Sequence, residues 1–211
     1  MIYFNNDEEF VSQNQEIIQA HASLNQACLK RRCEFIAGRL CARDALLQRQ
    51  IHGFKLLTNT DRSPKWPDDI VGSITHTNNF AAAALGSKQQ IKGIGIDSEA
   101  PIEAKRLEDI KSRIFLDQEI SCASSSSPAL PSEVYYTLIF SAKESLFKCI
   151  YPQTLNFFGF HDAHVSAIDW QQGTFKYQLL KTLGPQHAKG KNGVGYFHID
   201  KLIHTAILEL R

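Results

Sequence analysis

The feature that most constrains the fold is an order of secondary-structure patterns that recurs in both halves of the chain. In the first half, the proline-free segment 24–50 predicts a helix, and three β patterns follow at close intervals, at 71–77, 80–86 and 91–97. In the second half, helical spacing over 103–120 and 133–150 precedes short β-branched and aromatic runs, at 165–170, 174–180, 194–199 and 202–208. This order predicts a mixed α+β (α/β) protein built from two similar lobes, residues 1–97 and 98–211.

Two segments between these patterns favour irregular structure. Residues 51–70 contain two prolines and several turn-forming residues, which predicts a loop. Residues 121–132 are low in complexity and rich in serine, which predicts a flexible break before the second long helix. Ser132 is a candidate N-cap for that helix, and Pro152 is expected to end it.

Composition argues against several classes of protein. The formal net charge is +1, so no global positive field would recruit nucleic acid. No apolar run reaches the length of about 18 residues that a membrane span requires. The five cysteines form no CxxC pair and are odd in number, which is typical of a reduced, cytoplasmic protein. The acidic first residues do not follow the pattern of a signal peptide. We therefore expect a cytoplasmic protein.

Asp97 and Glu99 end the third β pattern and are two residues apart. Side chains alternate faces along a strand, so both carboxylates are expected on one face. They would repel each other unless a cation lay between them, and Gly93 and Gly95 leave room for a ligand or another backbone to approach. The same residues also fit a solvated acidic turn after an edge strand, so the pair alone does not distinguish a ligand site from a surface turn.

The helix predicted over 133–150 contributes a third carboxylate. Glu144 and Lys148 are one turn apart, an arrangement that is usually a surface ion pair worth ~0.2–0.5 kcal/mol. Large aromatic residues crowd the same helix, so Glu144 is expected to face a specific partner rather than water. Mg²⁺ typically binds a few carboxylates together with waters and substrate phosphates. Asp97, Glu99 and Glu144 fit that ligand set, with Lys148 beside them to offset phosphate charge.

Four stretches of the sequence carry a family pattern. In chain order they are KRRCEFIAGRLCAR (30–43), SPKWPDDIVGSITHT (63–77), GIGIDSE (93–99) and FSAKESLFK (140–148). Together they resemble the 4'-phosphopantetheinyl transferases of the Sfp type, and most closely the enterobactin-synthase component D branch. The GIDxE and (F/W)SxKExxxK elements are specific in combination. The chain beyond the last stretch carries no motif of this family.

The resemblance implies both a fold and a reaction. The fold is a pseudo-symmetric monomer of two α/β lobes, with coenzyme A and Mg²⁺ in the cleft between them. The reaction transfers the 4'-phosphopantetheine group of coenzyme A to a serine of an acyl or peptidyl carrier protein and releases 3',5'-ADP. The pathway stays open among siderophore, nonribosomal peptide, polyketide and fatty-acid synthesis. Two alternatives also stay open: a Mg²⁺-dependent hydrolase of a nucleotide-type pyrophosphate, and a non-catalytic coenzyme A-binding protein.

The resemblance also implies residue roles. It makes Asp97, Glu99 and Glu144 the metal ligands, and it implies coenzyme A contacts by Thr75, His76, Lys143 and Lys148. Glu119 resembles the glutamate proposed as general base, so the implied catalytic set is Glu119, Glu144 and Lys148.

One position departs from the family pattern. Ser98 stands between Asp97 and Glu99, where the family more often has an apolar residue. Because its side chain should point away from the metal face, we expect little consequence.

The first helix offers a separate test of the coenzyme site. Arg32, Arg39 and Arg43 fall within roughly 40° of arc on one helix face. Coenzyme A carries a 3'-phosphate and a pyrophosphate, and the guanidinium fork suits such oxygens. A solvated basic face is the alternative interpretation. Lys65 matches a basic position in the family's preceding loop.

Contact with the carrier protein is expected from apolar groups beside the serine-rich segment. Ile114, Phe115 and Leu116 lie next to that segment in the sequence and are candidates.

Overall fold

The computed structural model describes residues 1–21, 24, 26–123 and 130–211. The chain divides into two compact units, the first comprising Met1–Ile94 with Leu210–Arg211 and the second comprising Gly95–Glu209. The boundary predicted after residue 97 lies further along the same strand. The mixture of helices and sheets confirms the predicted α+β class.

The first unit combines three helices with an antiparallel sheet. Its elements are β1 (Ile2–Tyr3), α1 (Glu8–Gln13), α2 (Gln15–Gln19), α3 (Leu29–Gln48), β2 (Ile70–Thr77) and β3 (Phe80–Ser87). The strand order is β1-β3-β2, and α3 packs against β2 and β3. Small residues on α3, among them Ala37 and Gly38, allow this close packing, because a Cβ at Gly38 would lie 2.8 Å from the Ile74 side chain. The predicted loop at 51–70 is confirmed up to the start of β2.

The second unit places a long helix on a five-stranded sheet. Its elements are β4 (Ile91–Glu99), which begins in the first unit, α4 (Ala104–Ile114), α5 (Asp117–Cys122), α6 (Ser132–Thr154), β5 (Ala163–Asp169), β6 (Thr174–Leu179), β7 (Asn192–Ile199) and β8 (Ile203–Leu210). The strand order is β4-β8-β7-β6-β5. The core joins Leu146 and Ile150 of α6 to Phe175 and Leu179 of β6 and to Ile207 of β8.

All seven strand patterns predicted from the sequence correspond to strands of the structure, with ends that differ by at most two residues. The helix predicted from residue 24 is wrong at its start: α3 begins at Leu29, because Cys28 has an extended backbone with ψ 157°.

The single helix predicted over 103–120 is also wrong, because two helices form there. Phe115 and Leu116 adopt extended backbone angles between α4 and α5. The carboxylate of Glu119 accepts the backbone N–H of Leu116 at 2.9 Å and so begins a new helix. Local spacing gives no sign of this break, since it depends on a side chain that reaches back by three residues.

The ends of α6 differ from prediction as well. Pro131 is the N-cap and Ser132 is the first helical residue, without a side-chain cap. Pro152 lies inside the last turn, and the helix ends where Leu155 adopts left-handed angles. Half of the predicted break at 121–132, residues 124–129, lies outside the described residues, and the first two residues of the break belong to α5. In the described part of the chain, no helix is long and apolar enough to cross a membrane.

Among the described glycines of the second unit, Gly95, where β4 meets α6, has the least room for a side chain. A Cβ at this position would lie 1.9 Å from the carbonyl oxygen of Ser145 and 2.7 Å from the backbone nitrogen of Cys149. Since backbone atoms cannot move aside without displacing the helix, only glycine allows this separation. The contact sets how closely α6 side chains lie against the end of β4.

We predict that Gly95→Ala lowers the free energy of unfolding by about 1–3 kcal/mol or more, because the added methyl group pushes α6 away from β4. Gly159→Ala is the matched control, since a Cβ there meets no atom within 4 Å. Urea denaturation of both variants measures the difference. Equal stability of the two variants would contradict the prediction.

Candidate active site

Asp97 lies near the end of β4 and is held by two side chains of α6. It is 4% exposed. Its Oδ1 accepts a hydrogen bond from Lys148 Nζ at 2.6 Å, and its Oδ2 accepts one from the Ser141 hydroxyl at 2.8 Å. Lys148 also donates to the carbonyl oxygen of Ile96 at 3.2 Å. The helix and the strand predicted to share a site are therefore joined directly at Asp97.

Glu99 and Glu144 lie in the electrostatic environment of Asp97. Burial, followed by repulsion from Asp97, raises the pKa of Glu99 to about 7, while Lys148 acts in the opposite direction. Burial also raises the pKa of Glu144, with Lys148 again opposing the shift and Asp97 adding to it. We call Asp97, Glu99 and Glu144 the carboxylate cluster. Its negative charges repel one another in a place where water screens them poorly.

The carboxylate cluster has the donor chemistry of a magnesium site. Carboxylate oxygens are the ligands that Mg²⁺ prefers, and a bound cation would relieve the repulsion that raises the two pKa values. Among the described residues, however, no three His, Cys, Asp or Glu side chains are grouped closely enough to hold a metal ion. In this arrangement Lys148 supplies the positive charge beside Asp97. The three ligands remain a prediction that fits the residues present.

A residue that the sequence analysis did not single out supports Asp97 from β8. The hydroxyl of Thr205 lies 2.9 Å from the Ser141 hydroxyl and 2.7 Å from the Ser145 hydroxyl, and all three groups are buried. Ser145 also lies 3.2 Å from the Thr205 carbonyl oxygen. These hydrogen bonds attach α6 to β8 at the level of Asp97. No sequence signal indicates them, since Thr205 is far from the other two residues along the chain.

Glu119 and Lys143 form a buried ion pair instead of facing a ligand. Lys143 Nζ lies 2.7 Å from Glu119 Oε2, and the two residues are 3% and 1% exposed. Both carboxylate oxygens also accept backbone N–H groups, from Leu116 at 2.9 Å and from Val165 at 2.8 Å. Lys143 donates in addition to the carbonyl oxygen of Ile114 at 3.0 Å. The geometry therefore does not support Glu119 as general base or Lys143 as a phosphate contact.

The pair stabilises the junction of α4, α5, α6 and β5. Burial lowers the pKa of Lys143, and the charge of Glu119 opposes that shift. The same junction corrects the predicted carrier contact: Ile114 and Phe115 are buried in the core and cannot form an exposed surface, and Leu116 is half-buried.

We predict that Glu119→Gln lowers the free energy of unfolding by about 3–5 kcal/mol, because it leaves the Lys143 ammonium buried without a counter-charge. The double variant Glu119→Gln with Lys143→Met should recover part of that loss. Asp117→Asn, exposed on the same helix, is the control and should leave stability unchanged. Chemical denaturation measures all three. A large fall in turnover of Glu119→Gln at unchanged stability would restore Glu119 as general base.

Among the described residues of the first unit, Arg39 is a buried cation without an acidic partner. It is 8% exposed, its Nη2 donates to the Thr58 hydroxyl at 3.0 Å, and its guanidinium lies 4.4 Å from the centre of the Phe35 ring. Its Nε has no hydrogen-bond partner, and no carboxylate among the described residues forms an ion pair with it. Burial, followed by the charge of Arg31, lowers the pKa of Arg39 to about 10. Arg39 is therefore suited to receive an anion.

His76 lies beside Arg31, which the sequence analysis did not single out. Arg31 Nη1 is 3.0 Å from His76 Nε2, and Glu34 Oε2 is 3.6 Å from His76 Nδ1. Burial raises the pKa of Glu34, with Lys30 opposing the shift. We call Arg31, Arg39 and His76 the basic cluster of the first unit. Arg31 could have been found from the sequence, since it opens the same helix pattern as Arg39.

The other arginines of α3 have acidic neighbours. Arg32 pairs with Glu8 at 2.7 Å, and Arg43, which is exposed, lies 3.9 Å from Glu16. The coenzyme contacts expected for the three arginines of α3 remain a prediction, and among the described residues only Arg39 has no carboxylate paired with it. Thr75 is buried on β2, and Lys65 is exposed on the loop before it.

Two family models match most of the chain. The model described as the 4'-phosphopantetheinyl transferase N-terminal domain matches residues 19–86. The model of the 4'-phosphopantetheinyl transferase superfamily matches residues 93–199, which include the carboxylate cluster and Lys148. Among solved structures, the chain is similar to the holo-[acyl-carrier-protein] synthase of Thermotoga maritima, at 22% identity and a TM-score of 0.42, over 57% of this chain and 65% of that one.

Curated relatives agree with these models. The chain is 33% identical over 157 residues to 4'-phosphopantetheinyl transferase Npt of Nocardia iowensis, covering 72% of this chain and 68% of the relative. It is 34% identical to 4'-phosphopantetheinyl transferase Svp of Streptomyces mobaraensis, covering 75% and 63%. It is 34% identical to enterobactin synthase component D of Salmonella austin, covering 70% and 60%. For the last two, the chain spans less than two thirds of the relative's length. The resemblance to the Sfp type and to enterobactin synthase component D is confirmed, and the chain belongs to the 4'-phosphopantetheinyl transferase superfamily.

Proposed function

We propose that this protein transfers the 4'-phosphopantetheine group of coenzyme A to a serine of an acyl or peptidyl carrier protein. The observation that carries the proposal is the direct contact between Asp97 of the GIDxE element and Lys148 of the SxKExxxK element, at 2.6 Å. These two elements are far apart in the sequence, yet their charged groups form one partly buried ion pair inside the superfamily match. The comparisons do not favour a pyrophosphate hydrolase or a non-catalytic coenzyme A-binding protein.

Asp97, Glu99 and Glu144 would hold Mg²⁺, which when bound would neutralise charge on the pyrophosphate oxygens of coenzyme A. The partial burial of the three carboxylates supports this assignment. Carboxylates that repel one another where little water screens their charges bind a cation favourably. Lys148 provides a second positive group at the same place. Phosphoryl transfer depends mainly on positioning and on neutralising the charge that develops in the transition state.

The basic cluster of the first unit would bind phosphate groups of coenzyme A. Arg39 is the strongest candidate because it is buried and, among the described residues, no carboxylate pairs with it and its Nε has no hydrogen-bond partner. Burial, followed by repulsion from Arg31, lowers the pKa of Arg39, and a phosphate that approached both guanidinium groups would reduce that repulsion. Lys65 on the loop and Thr75 on β2 remain weaker candidates for the same ligand.

The carrier serine must lose its proton when it attacks. Its Oγ forms a bond to the β-phosphorus of coenzyme A, the bond to the 3',5'-ADP leaving group breaks, and the proton passes to a base. Both carboxylate oxygens of Glu119 already accept hydrogen bonds and the residue is buried, so it is poorly placed for this task. Because Glu144 is assigned to the cation, which would keep its carboxylate ionised, the proton would pass to a water molecule at the site.

The partners and setting of the protein follow from this proposal. The protein substrate would be a carrier domain with an accessible serine, and the donor would be coenzyme A. A cytoplasmic location is supported by the five cysteines, all of which are free thiols. We propose a monomer, as the resemblance implies.

We predict that Asp97→Asn and Glu144→Gln reduce transfer by at least about 100-fold, because each removes a charge needed for transition-state stabilisation while keeping side-chain shape. Asp109→Asn, exposed on α4, is the control and should keep full activity. The measurement is mass spectrometry of a carrier protein incubated with coenzyme A and Mg²⁺, which detects the added phosphopantetheine group. Full activity of either variant, or of the wild type in EDTA, would contradict the assignment of the metal ligands.

We predict that Arg39→Met raises the KM for coenzyme A by about 10- to 100-fold, the equivalent of one lost charge-assisted hydrogen bond. Arg43→Ala is the matched control on the same helix face, and its effect should be smaller because that arginine is exposed beside acidic groups. If Arg39 binds the 3'-phosphate, the variant should lose its defect with dephospho-coenzyme A. Equal effects of the two substitutions would show that burial of Arg39 is unrelated to the coenzyme site.

A further inference from the structure

A chain of hydrogen bonds lies on the face of β4 opposite the carboxylate cluster. Ser98 stands between Asp97 and Glu99, and it points to the other side of the strand because side chains alternate. It is 3% exposed, and its hydroxyl oxygen lies 2.9 Å from Nδ1 of His204 on β8. The expectation that Ser98 has little consequence did not anticipate this partner. An apolar residue at position 98 could not form the contact.

His204 is itself oriented by the turn that joins β7 and β8. Its Nε2 lies 3.4 Å from Oδ1 of Asp200. The same carboxylate oxygen accepts the backbone N–H of Leu202 at 2.7 Å, which fixes Asp200 within the turn. A continuous series of contacts therefore runs from the turn through His204 to Ser98, and ends between two residues of the carboxylate cluster.

The next residue of β8 holds the opposite face of the same strand segment. Thr205 contacts Ser141, and Ser141 donates to Asp97. His204 and Thr205, which are consecutive on β8, thus support opposite faces of β4. His204 contacts Ser98 directly, and Thr205 supports Asp97 through Ser141. A rotation of β4 about its axis would break both contacts at once. It would also turn Asp97 and Glu99 together, since both project from one face.

We propose that His204, oriented by Asp200, is a positioning residue that acts through Ser98 to hold Asp97 and Glu99 in the direction needed for the divalent cation. This inference rests on the proposed function, because it concerns the same cation. His204 contacts neither substrate nor cation; it restricts the strand that carries the ligands. Its effect should therefore be seen in cation affinity, measured apart from stability and turnover.

The test is a Mn²⁺ titration of the full chain with bound coenzyme A, in which electron paramagnetic resonance measures free Mn²⁺. We expect Ser98→Ala and His204→Ala to weaken Mn²⁺ affinity by about 2- to 10-fold, as expected for one lost hydrogen bond. His204→Asn should keep wild-type affinity, because the asparagine amide group can take the place of His204 Nδ1. His198→Ala is the matched control. His198 on β7 stacks on the His204 ring, so the substitution removes a different contact of His204 and leaves its hydrogen bond with Ser98 in place.

The outcomes separate the inference from the function on which it rests. Wild-type Mn²⁺ affinity in both Ser98→Ala and His204→Ala, even with a lowered melting temperature, would overturn the positioning role and leave the proposed function intact. An equal loss in His198→Ala would overturn it as well, since the effect would then be a general loosening of the sheet. A wild-type protein that binds no Mn²⁺ in the presence of coenzyme A would overturn the proposed metal site and the inference together.

Discussion

The close approach of α6 to β4 at Gly95 is the constraint on which the second unit depends. With a backbone oxygen of α6 1.9 Å from where a Cβ would be, the helix lies directly against the strand. That contact brings Ser141 and Lys148 within hydrogen-bond distance of Asp97. A separation larger by one methyl group would leave the Asp97 carboxylate buried without its partners on α6, which costs more than their pairing contributes. Packing and chemistry are thus set by the same glycine.

Two lysines of α6 lie on different sides of the helix and have different roles. Lys143 and Lys148 are five residues apart, so they project about 140° from each other around the helix axis. Lys143 is directed into the core, where Glu119 neutralises it and the pair begins α5. Lys148 is directed to the end of β4, where it is partly exposed and contacts Asp97. One family signature therefore combines a structural lysine with a lysine suited to an anionic ligand.

Both charged clusters are electrostatically unfavourable in the folded protein when no ligand is bound. In the second unit, three carboxylates repel one another and burial raises the pKa of two of them. In the first unit, burial and a second arginine lower the pKa of Arg39. Charges that are not compensated within a protein are characteristic of sites that receive a ligand. A cation in the first case and a phosphate in the second would supply the missing charge.

The sequence alone was enough to predict the strands from local patterns and the family from its motifs. Three short β patterns predicted β2, β3 and β4. The GIDxE and SxKExxxK elements placed Asp97, Glu144 and Lys148 in one site and indicated the family to which the chain belongs. Periodicity reports which face of an element is buried, because that choice is repeated at every turn or pleat.

Only the tertiary structure decided which charged side chains face a ligand and which face each other. The sequence motifs assign Glu119 and Lys143 to the site. In the structure, the two residues form an ion pair between α5 and α6 in the core. Thr205 and His204 carry no motif, yet they hold the strand that bears the predicted ligands. These contacts join residues far apart in the chain, and a single hydrogen bond leaves no repeating pattern in a sequence. Their partners are therefore defined only when the elements have packed.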